Sequence, residues 1–211
     1  MLVRSDERGP IARLLTFLEY GERLAHDCAL AQAELAPEGG MRRFLASQAR
    51  QESAHAWVFQ GAIAWLAPRH LGDSPFLPAL EQYRTLLEDA LRRRDFAETL
   101  MAEQLILEGL GEAILARIEE GLAKRNAPFG NLRRILLQQE EAHHDFGRRM
   151  LDRAFAAGTT SPDHLRIRAQ EYLALTDAMV STLGDLFDSI DEDPQFYLER
   201  AKGYLPAWLA A

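Results

Sequence analysis

Two stretches of the chain carry Glu-x-x-His: Gln51-Glu52-Ser53-Ala54-His55, and the run Gln138–Gly147, which reads QQEEAHHDFG. On a helix, a carboxylate and an imidazole three residues apart project from the same side, one turn removed, a spacing that can grip a metal ion. The second run holds the motif in two overlapping frames, Glu140 with His143 and Glu141 with His144. Their helical neighbours separate them. Leu132, Leu136, Gly147 and Met150 flank the first frame and continue an apolar face, whereas Arg134, Leu137 and Arg148 flank the second, which predicts a solvated shoulder. Glu140 and His143 are therefore the candidates, with Glu141 and His144 outside the ligand set. Glu52 and His55 have Leu45, Val58, Phe59 and Ala62 as neighbours, so this pair lies in or beside an apolar stripe where an unpaired charge is costly. For that pair alone, a half-exposed glutamate beside a packed histidine is the plainer explanation.

A dinuclear site needs more oxygen donors than two such pairs provide. In an antiparallel helical hairpin, residues at one height are equally distant from the turn. Glu22 and Glu52 have their midpoint at residue 37, inside the APEGG turn (36–40). Opposite Glu140, Glu108 and Glu112 give midpoints of 124 and 126, nearer the NAPFG turn (126–130) than Glu103 does. Glu108 shares a face with Gln104, Gly111 and Leu115. The candidate ligands are thus Glu22, Glu52, His55, Glu108, Glu140 and His143, with Tyr20, His26, Gln104 and Glu112 as candidates for the layer behind them. Four carboxylates and two imidazoles with no thiolate suit iron, manganese or similar ions and not structural zinc. Two divalent cations would balance four negative charges.

The elements that must hold these side chains read as helices. Apolar residues at helical spacing run over about 11–35, 41–66, 79–94, 96–124 (after a bend near Asp95), 131–157 and 164–187, with a last short helix over about 195–208. Trp57, Phe59 and Trp65 are expected in the core. No alternating run predicts a strand. The hairpins 11–66 and 96–157 each place an ExxH on their second helix, and the stretch 67–95, with the proline-rich segment 68–78, is long enough to cross the bundle. The fold class is all-α: a single-domain four-helix bundle with one long crossover and additional C-terminal helices. Gly109 and Gly111, within one turn of each other, point to close helix packing, to a gap beside Glu108 or to a π-type distortion.

The set Glu22, Glu52-x-x-His55, Glu108, Glu140-x-x-His143 resembles the ferritin-like di-iron carboxylate superfamily, in which two helices give one glutamate each and two give an ExxH. The resemblance covers about residues 11–157. Glu140–Gly147 also resembles the E-x-x-H-x-x-F-G pattern of oxygen-activating members, and LEGLGE (107–112) their third-helix glutamate region. The resemblance implies two metal ions, iron or manganese, and dioxygen with a small organic substrate in an oxidase or oxygenase (hydroxylase) reaction. It leaves open a ferroxidase, a di-manganese enzyme that disproportionates peroxide, and a bundle that binds metal without turnover. An electron-donor protein and a second copy of the chain are the implied macromolecular partners.

Composition excludes other classes. Net charge is −8 and no basic run exceeds Arg92-Arg93-Arg94, so neither nucleic acid nor an anionic membrane surface is an expected partner. Cys28 is the only cysteine, so no internal disulfide is possible, and MLVRSDERGP contains no apolar leader core. The expected location is cytoplasmic.

Overall fold

The computed structural model describes residues 3–67, 74–124, 126, 130–189 and 192–210, and every element among them is helical. The first hairpin pairs α1 (Arg8–Leu35) with α2 (Gly39–Leu66) along nearly their whole lengths. The second consists of α4 (Phe96–Leu100), a π-helical segment (Met101–Leu107) and α5 (Glu108–Lys124), returning as α6 (Gly130–Ala156). Between the hairpins, α3 (Leu77–Arg92) forms the described part of the crossover. Residues 68–73 of the proline-rich segment and 127–129 of the NAPFG turn lie outside the described residues.

Local chemistry accounts for the joints. At the bend near Asp95, the Asp95 N–H returns to the Ala90 carbonyl at 2.9 Å and the Arg94 N–H to Leu91 at 3.0 Å. Arg94 takes the left-handed conformation (φ 60°) that such a C-terminal cap requires. Asp95 then caps the next helix by accepting the Glu98 N–H at 3.0 Å. Gly158 (φ 63°) closes α6 in the same way, after which Ser161 and Pro162 start α7 (Pro162–Ser181).

The buried stripe of α2 recurs at three- and four-residue intervals as Leu45, Gln48, Ala49, Glu52, His55, Ala56 and Phe59. Apolar residues therefore fill its ends and polar ones its middle. Behind the second hairpin, α7 packs on α3 and the π-helical segment, anchored by Glu98. That carboxylate is fully buried and accepts from Arg93 and Arg168 at 2.8 Å each and from the Tyr172 hydroxyl at 3.1 Å; His164 Nε2 is 3.1 Å away. Two arginines satisfy this charge, as a buried carboxylate demands.

Three expectations change. The helix expected over 164–187 is interrupted after Ser181: the Thr182 hydroxyl donates to the Met179 carbonyl at 2.7 Å, and α8 (Gly184–Ser189) starts anew. The expected last helix is two, α9 (Pro194–Gly203) and α10 (Ala207–Ala210), because Pro206 has no N–H to continue the first. Trp57 (72% exposed) and Trp65 (57%) stand in solvent while Phe59 is buried, so only one of the three aromatics joins the core. No helix of the described residues is long and apolar enough to cross a membrane.

Candidate metal centre

Glu22, Glu52, His55 and Glu140, all buried, bring ligand atoms within 4.8 Å of one another, and Glu52, Glu108 and His143 form a second such group. His55 Nδ1 lies 3.2 Å from Glu22 Oε2, 3.2 Å from Glu52 Oε2 and 2.9 Å from Glu140 Oε1. His143 Nδ1 lies 2.8 Å from Glu52 Oε1 and 3.1 Å from Glu108 Oε2. Glu52 belongs to both groups and offers one oxygen to each imidazole. Glu140, by contrast, meets the histidine of the other motif, so its own ExxH is not a self-contained clamp. The two rings are 6.5 Å apart, and Phe44 shields the edge of His143 while stacking on Phe146 at 4.1 Å.

Such crowding leaves clear electrostatic marks. Burial, and then the charge of Glu140, push Glu22 well above the usual carboxylate range. Burial and the Glu52 charge raise Glu108 to about 7 and also raise Glu140. Burial alone would raise Glu52, but the two imidazoles close beside it, His143 and then His55, outweigh it and hold this carboxylate well below its ordinary value. Burial would lower His143, yet the Glu108 charge and its hydrogen bond dominate and push the imidazole up to about 11; His55 is raised likewise, against burial, by Glu140, Glu22 and Glu52. Neither oxygen of Glu52 has a well-aligned hydrogen bond, nor does Glu140 Oε1, although all are shut off from solvent. Orphaned carboxylate oxygens around a shared centre fit divalent cations, and the all-oxygen-and-imidazole donor set fits iron or manganese.

The candidates for the layer behind are dispersed. Gln104 is buried and exchanges hydrogen bonds with Gln32 (2.7 and 3.1 Å), then reaches Gln48 at 3.3 Å. The Gln48 amide in turn donates to Glu103 at 2.9 Å and to Glu108, so Gln104 stands two links from the cluster. Tyr20 packs edge-on against Phe76, and His26 Nδ1 meets the Ala49 carbonyl at 2.6 Å. Glu112 lies beside the Tyr204 hydroxyl.

Further features surround the cluster, and the close packing at Gly109 and open space at Gly111 are among the outcomes that their spacing offered. Glu103 is fully buried, lies outside both groups and shares the Gln48 amide with Glu108, because the π-helical turn brings residues five apart together. His144 is not on a solvated shoulder: it is buried, with its ring 4.2 Å from that of Tyr204, which α9 delivers from the C-terminal region. Tyr204 also fills the notch at Gly109, where an added Cβ would come within 2.6 Å of its ring. Gly147 permits a similar approach of α6 to Gln104 (2.5 Å). Gly111, where an added Cβ would meet open space, instead lines a narrow, largely apolar cleft whose walls also include Gly21, Leu107, Glu22, Glu108 and Glu140. Finally, His55 Nε2 is 2.9 Å from Gln139 Oε1 and His143 Nε2 is 2.7 Å from Gln51 Oε1. The recurrence of Gln immediately before each Glu-x-x-His was the available signal for this last pair.

No family model and no curated protein matches the chain. Among solved structures it is similar to a protein from Synechococcus described as having aldehyde deformylating oxidase activity, with a TM-score of 0.79 and 22% sequence identity over 96% of this chain and 89% of that one. The likeness establishes the fold as the ferritin-like helical bundle.

Proposed function

We propose that this chain holds two metal ions, iron in preference to manganese, between Glu22, Glu52, His55, Glu108, Glu140 and His143, and uses them to oxidise a small apolar organic molecule with dioxygen. The observation that carries this reading is the Glu52 carboxylate, buried at the junction of two ligand groups that open on an apolar cleft. When bound, a pair of ferrous ions supplies two electrons to dioxygen at one place. The protein supplies the rest. Four glutamates balance the charge of two divalent ions, two imidazoles complete the donor set, and Phe44, Phe146 and the cleft wall keep water from the reacting atoms. The apolar lining favours an organic substrate over iron itself, whose passage would call for polar side chains along the route. The activity of the Synechococcus neighbour adds an aldehyde as a candidate substrate. A separate reductant, protein or small molecule, would restore the ferrous state, which agrees with a cytoplasmic setting.

The test is direct. Protein made in medium containing both iron and manganese is expected to carry about two ions per chain, mostly iron. After anaerobic reduction it should consume dioxygen faster when a medium-chain aldehyde is present. Clearly fewer than two ions per chain, or dioxygen consumption indifferent to every organic substrate tried, would overturn the reading.

Gly111 gives an independent check on the cleft. An added Cβ there meets no atom within 4 Å, and Gly111 lines the same cleft as Glu108. Replacing a mid-helix glycine should stabilise the fold by roughly 0.5–1 kcal/mol. Gly111→Leu should therefore melt no lower than the parent chain while raising KM for the longer substrates by about tenfold or more. Unchanged KM across a chain-length series would remove the cleft from the argument.

A further inference from the structure

Each histidine of the centre turns its Nδ1 towards the carboxylates and its Nε2 towards a glutamine of the opposite motif. Gln139, which precedes Glu140, meets His55 at 2.9 Å; Gln51, which precedes Glu52, meets His143 at 2.7 Å. The two contacts are related by an approximate twofold exchange of α2 and α6, which run antiparallel here: residue 51 faces 143 and residue 55 faces 139. Both glutamines are only partly buried, so they stand between the rings and solvent.

We propose that Gln51 and Gln139 are positioning residues, each fixing through its amide oxygen the ring orientation and tautomer of the histidine in the other ExxH motif. An amide oxygen only accepts, so each Nε2 would carry its proton, and Nδ1, which faces the carboxylates, would be the nitrogen that takes an ion. This rests on the metal-binding reading above. The choice of glutamine also has a charge consequence. A carboxylate at either position would add negative charge and make the ring more basic, whereas an amide orients the ring and leaves four carboxylates balanced against two divalent ions. The crossed arrangement couples the halves of the site: a residue on α6 governs the ring donated by α2, and the reverse.

The experiment uses the full chain with Zn²⁺ as a diamagnetic probe. Chelator competition measures affinity, and nitrogen-15 NMR of labelled histidine side chains, assigned with His55→Gln and His143→Gln, locates each ring proton. In the parent protein two Zn²⁺ ions should bind, with the proton of both rings on Nε2. Gln139→Met removes the acceptor at similar volume; it should weaken binding about 10–100-fold and disturb the His55 resonances while sparing those of His143. Gln51→Met should do the converse, and Gln139→Glu, which keeps an acceptor oxygen, should restore the His55 ring proton to Nε2. Should Gln139→Met fail to fold, Gln139→Asn withdraws the amide by one methylene and serves the same measurement. If the parent chain binds fewer than two ions, the metal reading falls and takes this proposal with it. If the parent binds two and the methionine variants bind them as tightly, with the proton unmoved, this proposal alone is overturned.

Discussion

Glu52→Gln is expected to weaken binding of both metal ions by on the order of 100-fold or more, where Glu22→Gln weakens only one. The asymmetry follows from position. Glu52 is fully buried, and among the described residues it alone enters both ligand groups, with one oxygen 2.8 Å from His143 Nδ1 and the other 3.2 Å from His55 Nδ1. Glu22 meets His55 alone of the two rings. Disturbing a partner behind a metal ligand typically weakens affinity by about 10–100-fold, so removing a donor shared by two ions has to exceed that range. Glutamine preserves volume, which matters because truncation would also leave a cavity beside two rings. Metal content per chain after dialysis, with chelator competition on both variants, decides the matter. Two tightly held ions in Glu52→Gln would show that Glu52 is not a ligand that both ions would share, and the proposed ligand set would fall.

Glu103 shows where sequence reading stops. Equal distance from a turn pairs Glu22 with Glu52 in one hairpin and Glu108 with Glu140 in the other, and the structure brings the two pairs together; an antiparallel hairpin is a rigid ruler. The same ruler assumes 3.6 residues per turn. Across Met101–Leu107 the chain instead makes a π-helical turn, a distortion that Gly109 and Gly111 suggested but that MAEQLIL itself does not locate, and Glu103 swings to the side of Glu108. The error at His144 has another origin. Its helical neighbours Arg134, Leu137 and Arg148 describe only its own helix, whereas its burial is decided by Tyr204, sixty residues downstream. Trp57 and Trp65 repeat the lesson, since apolar identity does not guarantee a partner helix over every face. Leu132, one of the residues that favoured the Glu140 frame, is itself half exposed, while Leu136 and Gly147 are buried as that frame requires. The glutamines before each motif were visible as a repeat, but a search for ligands passes over amides.

The metal-free chain is expected to lose stability as pH rises from about 5 to about 9, and bound metal to reverse that trend. Glu108 has an ordinary value of 4.5 and sits at about 7 in the fold, so between those values the folded chain holds a proton that the unfolded chain has released. Stability therefore falls with rising pH through that window. His143, with an ordinary value of 6.5 and about 11 in the fold, contributes stability that is fully present below 6.5 and lost as pH climbs towards 11. Glu22, Glu103 and Glu140, raised by burial and by neighbouring carboxylates, act in the same direction as Glu108. Glu52 is displaced downwards, so the stability it contributes is present above 4.5 and disappears only on further acidification, outside the range in question. The net fall should be on the order of 10 °C in melting temperature. Divalent ions replace those protons, and their affinity grows as the ligands deprotonate. At 1,000 times the dissociation constant an ion adds about 4 kcal/mol, or roughly 8–16 °C for a chain of this size. Melting curves at pH 5, 7 and 9, with a chelator and with two equivalents of ferrous iron under anaerobic conditions, should diverge steadily towards alkaline pH. Parallel curves would mean that the buried carboxylates and imidazoles hold no ion in common, because only displacement of their protons by metal links the two slopes.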